Sequence, residues 1–225
     1  MKVPWILPVW FVLALPGLAW GESGVTHVDV FTSGTDGYHS YRIPAIETAA
    51  DGSLVAFCEA RKYNLDDPGF GKQDIDLVAK RSTDGGQTWS AMQVIEDPGE
   101  LWSAANPATV VDRGGGGVWH PHIPPTASGR LWVLYLRSKP QRSTETSRPG
   151  TDDMQTFARH SDDHGVTWSD PIDLTEVARD MHDPNWRASV VGPGGAIQDR
   201  NGRLIAPVWK VVPYGVLAIY SDDHG

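Results

Sequence analysis

Short runs of alternating apolar and polar residues recur along the chain, and turn residues separate them. Six of these runs form three pairs, and each pair begins after a turn signal, Asp51-Gly52, Ser128-Gly129 or Asn201-Gly202. A period of two residues is typical of β-strands with one buried face. The pattern therefore predicts an all-β fold built from strand pairs. The predicted strands are Leu54–Glu59 and Asp74–Lys80, Leu131–Leu136 and Met154–His160, and Leu204–Val208 and Val216–Tyr220.

An eight-residue motif, here called the box, follows the second strand of each pair. It reads Ser-x-Asp-x-Gly-x-Thr-Trp at Ser82–Trp89 and Ser161–Trp168, and its first five positions recur at Ser221–Gly225. The Asp can accept backbone N–H groups in a tight turn, the Gly can adopt positive φ, and the Trp is a large apolar anchor. We expect a structural motif in which the carboxylates of Asp84 and Asp163 face their own turns and the Trp packs between neighbouring units.

The spacing of the repeat is that of a β-propeller with long loops. The turn glycines Gly52 and Gly129 are 77 residues apart, and Gly129 and Gly202 are 73 residues apart. Propeller blades commonly take about 40–50 residues, so each unit is a blade with insertions. A propeller needs at least about four blades to close. We therefore expect residues 22–225 to form about three blades of a larger propeller.

Residues 1–21 have the pattern of a signal peptide. Met1-Lys2 gives a charged start, Trp5–Leu15 is apolar, and Ala19-Trp20-Gly21 is a small-x-small cleavage site. The alternative is a buried N-terminal helix, which the three prolines of this stretch disfavour. The apolar run is also shorter than the roughly 20 residues that span a bilayer. We expect a secreted or periplasmic protein without a membrane span.

Charge and cysteine content narrow the function classes. The formal net charge is −9 at pH 7, which argues against nucleic acid as a partner because phosphate binding favours a basic surface. Cys58 is the single cysteine, so no disulfide can form within the chain. Two histidine pairs are present: His160 and His164 are four residues apart, and His120 and His122 are two residues apart. Neither pair has a third ligand at a spacing suited to zinc. We predict no metal site.

Three further segments identify a family. They are Tyr41-Arg42-Ile43-Pro44-Ala45, Glu59-Ala60-Arg61-Lys62, and Asp66-Asp67-Pro68-Gly69, and they precede the first box in this order. With the boxes in register, this set resembles the sialidase (neuraminidase) family over essentially all of residues 22–225. The resemblance implies a six-bladed β-propeller that acts as a retaining exo-α-sialidase on sialylated glycans. It implies no cofactor for catalysis.

The resemblance assigns roles to two arginines. Arg42 matches the first member of an arginine triad that binds the sialic acid carboxylate, a task that suits the bidentate geometry of a guanidinium. Arg61 matches a residue that contacts polar groups near C4 of the sugar. We expect Ile43 and Pro44 to hold the backbone beside Arg42 extended. The segment Asn106-Pro107-Ala108 resembles one that opens blade two near the N-acetyl pocket.

The general acid/base is expected to be an aspartate five or six residues after Arg61. Both positions are aspartate, Asp66 and Asp67. We favour Asp67, because a spacing of six followed by the small-residue turn Pro68-Gly69 fits better, and Asp66 stays open. In this family a tyrosine polarised by a glutamate is the nucleophile. No position of this chain matches that tyrosine, that glutamate or the other two triad arginines.

Two other functions remain possible from the sequence. A trans-sialidase passes the sugar to another glycan instead of water. A non-catalytic propeller would bind sialic acid or serve as an interaction scaffold while keeping the boxes.

Overall fold

The computed structural model describes residues 24–114 and 129–225. The predicted signal peptide, and the pair His120 and His122, lie outside the described residues. The described residues form thirteen strands and one helical turn, which are β1 Ser40–Thr48, β2 Leu54–Arg61, β3 Ile75–Ser82, β4 Gln93–Glu96, β5 Ser103–Asp112, β6 Arg130–Ser138, β7 Met154–Ser161, β8 Ile172–Asp173, α1 Thr175–Ala178, β9 Ala188–Val191, β10 Gly194–Gly195, β11 Ile197–Gln198, β12 Leu204–Val211 and β13 Gly215–Ser221.

The strands form successive antiparallel blades. Blade one is β1–β4 and blade two is β5–β8, each in chain order. Blade three has β9 and β11 on one side of β12 and β13 on the other. Parallel pairs join the blades, Ile75 with Ser103 and Gly194 with Ala108. The all-β propeller architecture is confirmed, whereas a total of six blades stays a prediction.

All six strands predicted from the alternating pattern are present, and each extends by one to three residues beyond the prediction, although β3 begins at Ile75, one residue later than predicted. The expectation that Ile43 keeps the backbone extended is wrong. Ile43 has φ +56°, and the register of β1 against β2 shifts between Arg42 and Ala45. A bulge of this kind bends the strand and changes the direction of side chains. Because Ile43 is β-branched, its left-handed backbone is a strained conformation.

One of the apolar core clusters lies between blades one and two, and a box tryptophan packs against it. Apolar side chains of β2, β3, β5 and β6 form one buried cluster, and Trp168 packs against it. The ring of Trp168, from the box of blade two, meets Phe57 of blade one edge-on, with centroids 5.5 Å apart. This confirms the prediction that a box Trp packs between neighbouring units.

A buried carboxylate also joins the two blades. Glu96 at the end of β4 accepts hydrogen bonds from Tyr135, at 3.0 Å, and from Arg159, at 2.7 and 2.9 Å. Arg137 forms a further ion pair with it. All three donors belong to blade two, so Glu96 supplies the charge that lets two arginines lie at the blade interface.

The box carboxylates face their own turns, as expected. Asp84 accepts the Thr88 amide at 2.9 Å and the Thr88 hydroxyl at 2.6 Å. These bonds lower the pKa of Asp84 to about 2. In the second box, burial raises the pKa of Asp163, but hydrogen bonds from Thr167 and Ser161 outweigh it and bring that pKa to about 2.

The strands give the fold two unlike ends. The box face carries the turns that follow β3, β7 and β13, including all three boxes. The opposite end, the site face, carries the loop 62–74 between β2 and β3 and the loop 139–153 between β6 and β7. Loops between strands commonly carry function on a rigid scaffold.

Candidate functional site

The predicted site residues meet at the site face of blade one. β1 begins where β2 ends, because Ser40 pairs with Arg61 and Arg42 pairs with Glu59. The loop 62–74 then folds back over this end, which brings Asp67 to both arginines.

Arg61 is held by the protein at every donor of its guanidinium. Nε and Nη2 donate to Glu59 Oε2 at 3.0 and 2.5 Å. Nη1 donates to the carbonyls of Leu65 and Asp66 at 2.6 and 2.9 Å. Nη2 also donates to Asp67 Oδ1 at 3.2 Å. A guanidinium has five N–H donors, so this fully buried side chain has none left over.

Arg42 is in a different state. Its side chain is 40% exposed, and Nη1 donates to the Leu65 carbonyl at 2.9 Å and to Asp67 Oδ1 at 3.1 Å. Within residues 24–114 and 129–225, its hydrogen bonds use Nη1 alone. The Nε–Nη2 edge is therefore available for a bidentate anion.

Asp67 is the carboxylate that joins the two arginines. Its Oδ1 contacts both Arg42 and Arg61, and its side chain is 61% exposed. Asp66 makes different contacts. Its carbonyl accepts from Arg61, and its carboxylate faces Gly71, where Oδ2 would lie 2.8 Å from an added Cβ.

A tight turn sets the position of Asp67. The Phe70 amide donates to the Asp67 carbonyl at 3.0 Å, and Gly69 has φ +74°. Pro at the second and Gly at the third position are what a type II turn requires. The sequence Asp67-Pro68-Gly69-Phe70 thus fixes where the backbone carries the carboxylate.

The sequence indicated no role for Glu59, although this buried carboxylate connects Arg61 to blade two. Its Oε2 holds Arg61, and its Oε1 accepts the Asn106 amide of blade two at 3.0 Å. Burial raises the pKa of Glu59, and the Arg61 guanidinium opposes that effect. Asn106, from the segment predicted near the N-acetyl pocket, therefore reaches the site through its backbone.

Asn106 also reveals a repeat that sequence reasoning missed. It has φ +56° at a register shift in β5 and precedes a proline, as Ile43 does in β1. Gly192, with φ +66°, precedes Pro193 in the inner part of blade three. The three X-Pro pairs are visible in the sequence and mark the same place in successive blades.

The described residues limit what else the site can hold. No group of three or more His, Cys, Asp and Glu side chains within residues 24–114 and 129–225 is arranged to hold a metal ion. Over the same residues, no helix has the length and apolar character needed to cross a membrane. The site combines the exposed carboxylate of Asp67 with the available guanidinium edge of Arg42. Such a pair is suited to proton transfer at an anionic ligand.

Fold and boxes together define an Asp-box propeller domain. The BNR repeat-like domain family matches residues 52–225, and the chain belongs to this family. It is 31% identical over 220 residues to a sialidase of Micromonospora viridifaciens and 33% identical over 219 residues to a sialidase of Bacteroides fragilis. Each comparison covers 91% of this chain. The predicted resemblance to sialidases is confirmed.

Solved structures of sialidases are also similar to this chain. The Hadza microbial sialidase Hz136 superposes with a TM-score of 0.71 and 28% identity, over 86% of this chain and 37% of that one. Trypanosoma rangeli sialidase in complex with the inhibitor DANA superposes with a TM-score of 0.64 over 84% of this chain and 30% of that one. At 23% identity, that second likeness shows the fold. The chain spans 31% and 38% of the lengths of the two curated relatives.

Proposed function

We propose that the protein containing this chain is a retaining exo-α-sialidase that releases terminal sialic acid from glycoconjugates. The observation that carries the proposal is the contact of one exposed carboxylate, Asp67, with both Arg42 and Arg61. The curated relatives are named sialidases, which points to the same reaction.

In this proposal Arg42 binds the carboxylate of the sugar. Its Nε–Nη2 edge suits a bidentate contact, and the side chain is 40% exposed. The predicted contact of Arg61 with C4 substituents requires the substrate to replace one of its present acceptors. Of its two carboxylate acceptors, Asp67 is 61% exposed, whereas Glu59 is fully buried.

Asp67 is the proposed general acid and base. As the acid it protonates the glycosidic oxygen while the bond to the anomeric carbon breaks. As the base it then takes a proton from the water that resolves the glycosyl-enzyme intermediate. The tyrosine nucleophile and its glutamate partner are expected on other blades of the same protein.

Separate replacement of the two aspartates tests this assignment. Asp67→Asn is expected to lower kcat/KM for release of sialic acid from sialyllactose by about 10²–10⁴-fold. Asp66→Asn, the matched control, is expected to lower it less than about threefold, because the Asp66 carboxylate faces Gly71. The opposite ranking would transfer the role to Asp66. If the unchanged protein binds sialyllactose and releases nothing, the non-catalytic sialic-acid-binding alternative replaces this proposal.

We propose secretion from the signal peptide pattern of residues 1–21. Expression in a bacterial host with export, followed by N-terminal sequencing of the released protein, tests it. The expected first residue is Glu22. An intact Met1 in the extracytoplasmic fraction would overturn the proposed cleavage.

A further inference from the structure

The turn that carries Asp67 rests directly on the neighbouring blade. A Cβ added to Gly69 would lie 2.1 Å from the carbonyl oxygen of Arg142 and 2.6 Å from the amide nitrogen of Ser143. Both of those atoms are backbone atoms of the loop 139–153 in blade two. No side chain could occupy that space unless one of the two loops moved.

The support beneath Gly69 is itself fixed. Ser138, the last residue of β6, is fully buried and donates its hydroxyl to the Arg142 carbonyl, the same oxygen that faces Gly69. The Arg142 amide donates to the Lys139 carbonyl at 3.0 Å. The carbonyl under the turn is thus held by a rigid strand end and by a tight turn.

Resting on the proposed function, we propose that Gly69 is a positioning residue for the general acid. The absence of a side chain at Gly69 lets the Asp67–Phe70 turn sit on the Arg142 peptide of blade two. Arg61 holds the preceding carbonyls of Leu65 and Asp66 from the blade-one side. The acid is therefore located between two blades, and displacement of either support moves its carboxylate relative to Arg42.

The distance over which an acid donates its proton makes this position matter. A general acid has to lie within hydrogen-bond reach of the oxygen it protonates. A lactose leaving group depends on that proton, whereas a 4-methylumbelliferyl leaving group departs as a stabilised phenolate. Loss of the acid's position therefore lowers turnover of sialyllactose more than turnover of the aryl sialoside. A general loss of folded protein lowers both by the same factor.

The test compares kcat/KM for sialyllactose and for 4-methylumbelliferyl sialoside in three variants of the protein containing this chain. Gly69→Ala is expected to reduce the ratio of kcat/KM for sialyllactose to kcat/KM for the aryl sialoside by roughly ten- to a hundredfold. This is a part of the rate that a general acid contributes. Ser138→Ala is a milder variant and is expected to reduce the ratio a few-fold. Gly52→Ala is the matched control, because Gly52 has φ +84° but an added Cβ there meets nothing within 4 Å. Its ratio is expected to stay unchanged.

Hydrogen exchange gives a readout that does not depend on turnover. Gly69→Ala and Ser138→Ala are expected to speed exchange at the Phe70 amide, which closes the turn, whereas Gly52→Ala is not. An unchanged ratio and unchanged Phe70 exchange in Ser138→Ala and in folded Gly69→Ala would overturn the proposal. A protein that hydrolyses neither substrate refutes the proposed function instead, and the exchange data alone then decide whether Gly69 positions the turn.

Discussion

Glu59 and Arg61 lie two residues apart on β2 and form an ion pair from which solvent is excluded, with Arg61 Nη2 2.5 Å from Glu59 Oε2. Two residues apart on a strand means the same face, so the pair forms within one strand. Its outer side holds the loop with Asp67, and its inner side holds the Asn106 amide of blade two. The pair therefore connects the loop that carries Asp67 to the inner strand of blade two.

Removal of the charge of Glu59 is expected to destabilise the protein strongly. In Glu59→Gln, Arg61 stays buried with the exposed Asp67 as its remaining counter-charge. Loss of one partner of a buried pair costs about 3–5 kcal/mol. The free energy of unfolding from urea denaturation measures the loss. The double variant Glu59→Gln with Arg61→Met is expected to be more stable than Glu59→Gln alone. Equal stability of the two variants would contradict the expected cost of leaving Arg61 buried without Glu59.

Glu96 is expected to matter far more than an exposed pair of the same chemistry. Glu96→Gln leaves Arg137 and Arg159 without their counter-charge at the blade interface and is expected to cost about 3 kcal/mol. Asp162 pairs with Arg130 at 2.7 Å, but its side chain is 58% exposed. Asp162→Asn is therefore expected to cost less than about 1 kcal/mol. Thermal unfolding of both variants decides, and similar losses would contradict the assignment of Glu96 to the interface.

Trp168 is expected to hold blades one and two together by packing alone. Trp168→Ala removes the ring that meets Phe57 and is expected to cost about 3 kcal/mol of unfolding free energy. Trp168→Phe keeps an aromatic partner and is expected to lose about half of that. Chemical denaturation measures both. A Phe variant no better than the Ala variant would mean that an aromatic ring at this position contributes little.

Acid is expected to weaken the fold through Asp153. Hydrogen bonds from the Arg148 guanidinium, together with the Arg148 amide and Thr151, lower the pKa of Asp153 to about 2 from its usual 3.8. Because the folded pKa lies below the unfolded one, this stabilisation is complete above pH 4 and disappears as the pH falls from about 4 to 2. Arg148 is largely exposed, so about 1–2 kcal/mol is at stake.

The difference between variants isolates that contribution. Asp153→Asn is expected to lower the unfolding free energy at pH 6 and to flatten its dependence on pH between 4 and 2. The control is Asp152→Asn, whose side chain is 60% exposed beside Lys139. If Asp153→Asn keeps the full slope of the unchanged protein, the carboxylate does not contribute in this pH range.

The strands could be predicted because their burial is one-sided and the boxes mark their ends. β2 and β3 extend the predicted ranges by two residues each at one end, which is the usual uncertainty of a boundary. The bulge at Ile43 could not be predicted from propensity, because a β-branched residue before proline favours extended backbone. The structure has positive φ at Ile43, Asn106 and Gly192, each of which precedes a proline, and this repeated X-Pro pair was the signal available in the sequence.

The site was predictable in part for a similar reason. The family resemblance assigned Arg42, Arg61 and one of two aspartates to a single site, and the structure brings Asp67 to both arginines. The complete use of the Arg61 donors depends on how residues 65–67 fold back, which no pairwise spacing encodes. The role of Gly69 depends on a loop about 70 residues further along the chain.

The two faces of the fold have a practical consequence. Arg61 and Asp67 lie at one end of β2, whereas the turn at Gly52 and the boxes lie at the other end. The eight residues of β2 span roughly 26 Å at 3.3 Å per residue. A fluorophore, biotin or bead attached through a cysteine in place of Gly52 would therefore orient the protein with its site face outward. The loop 62–74 and Arg42 would then stay open to large ligands, because the support would contact only the box face.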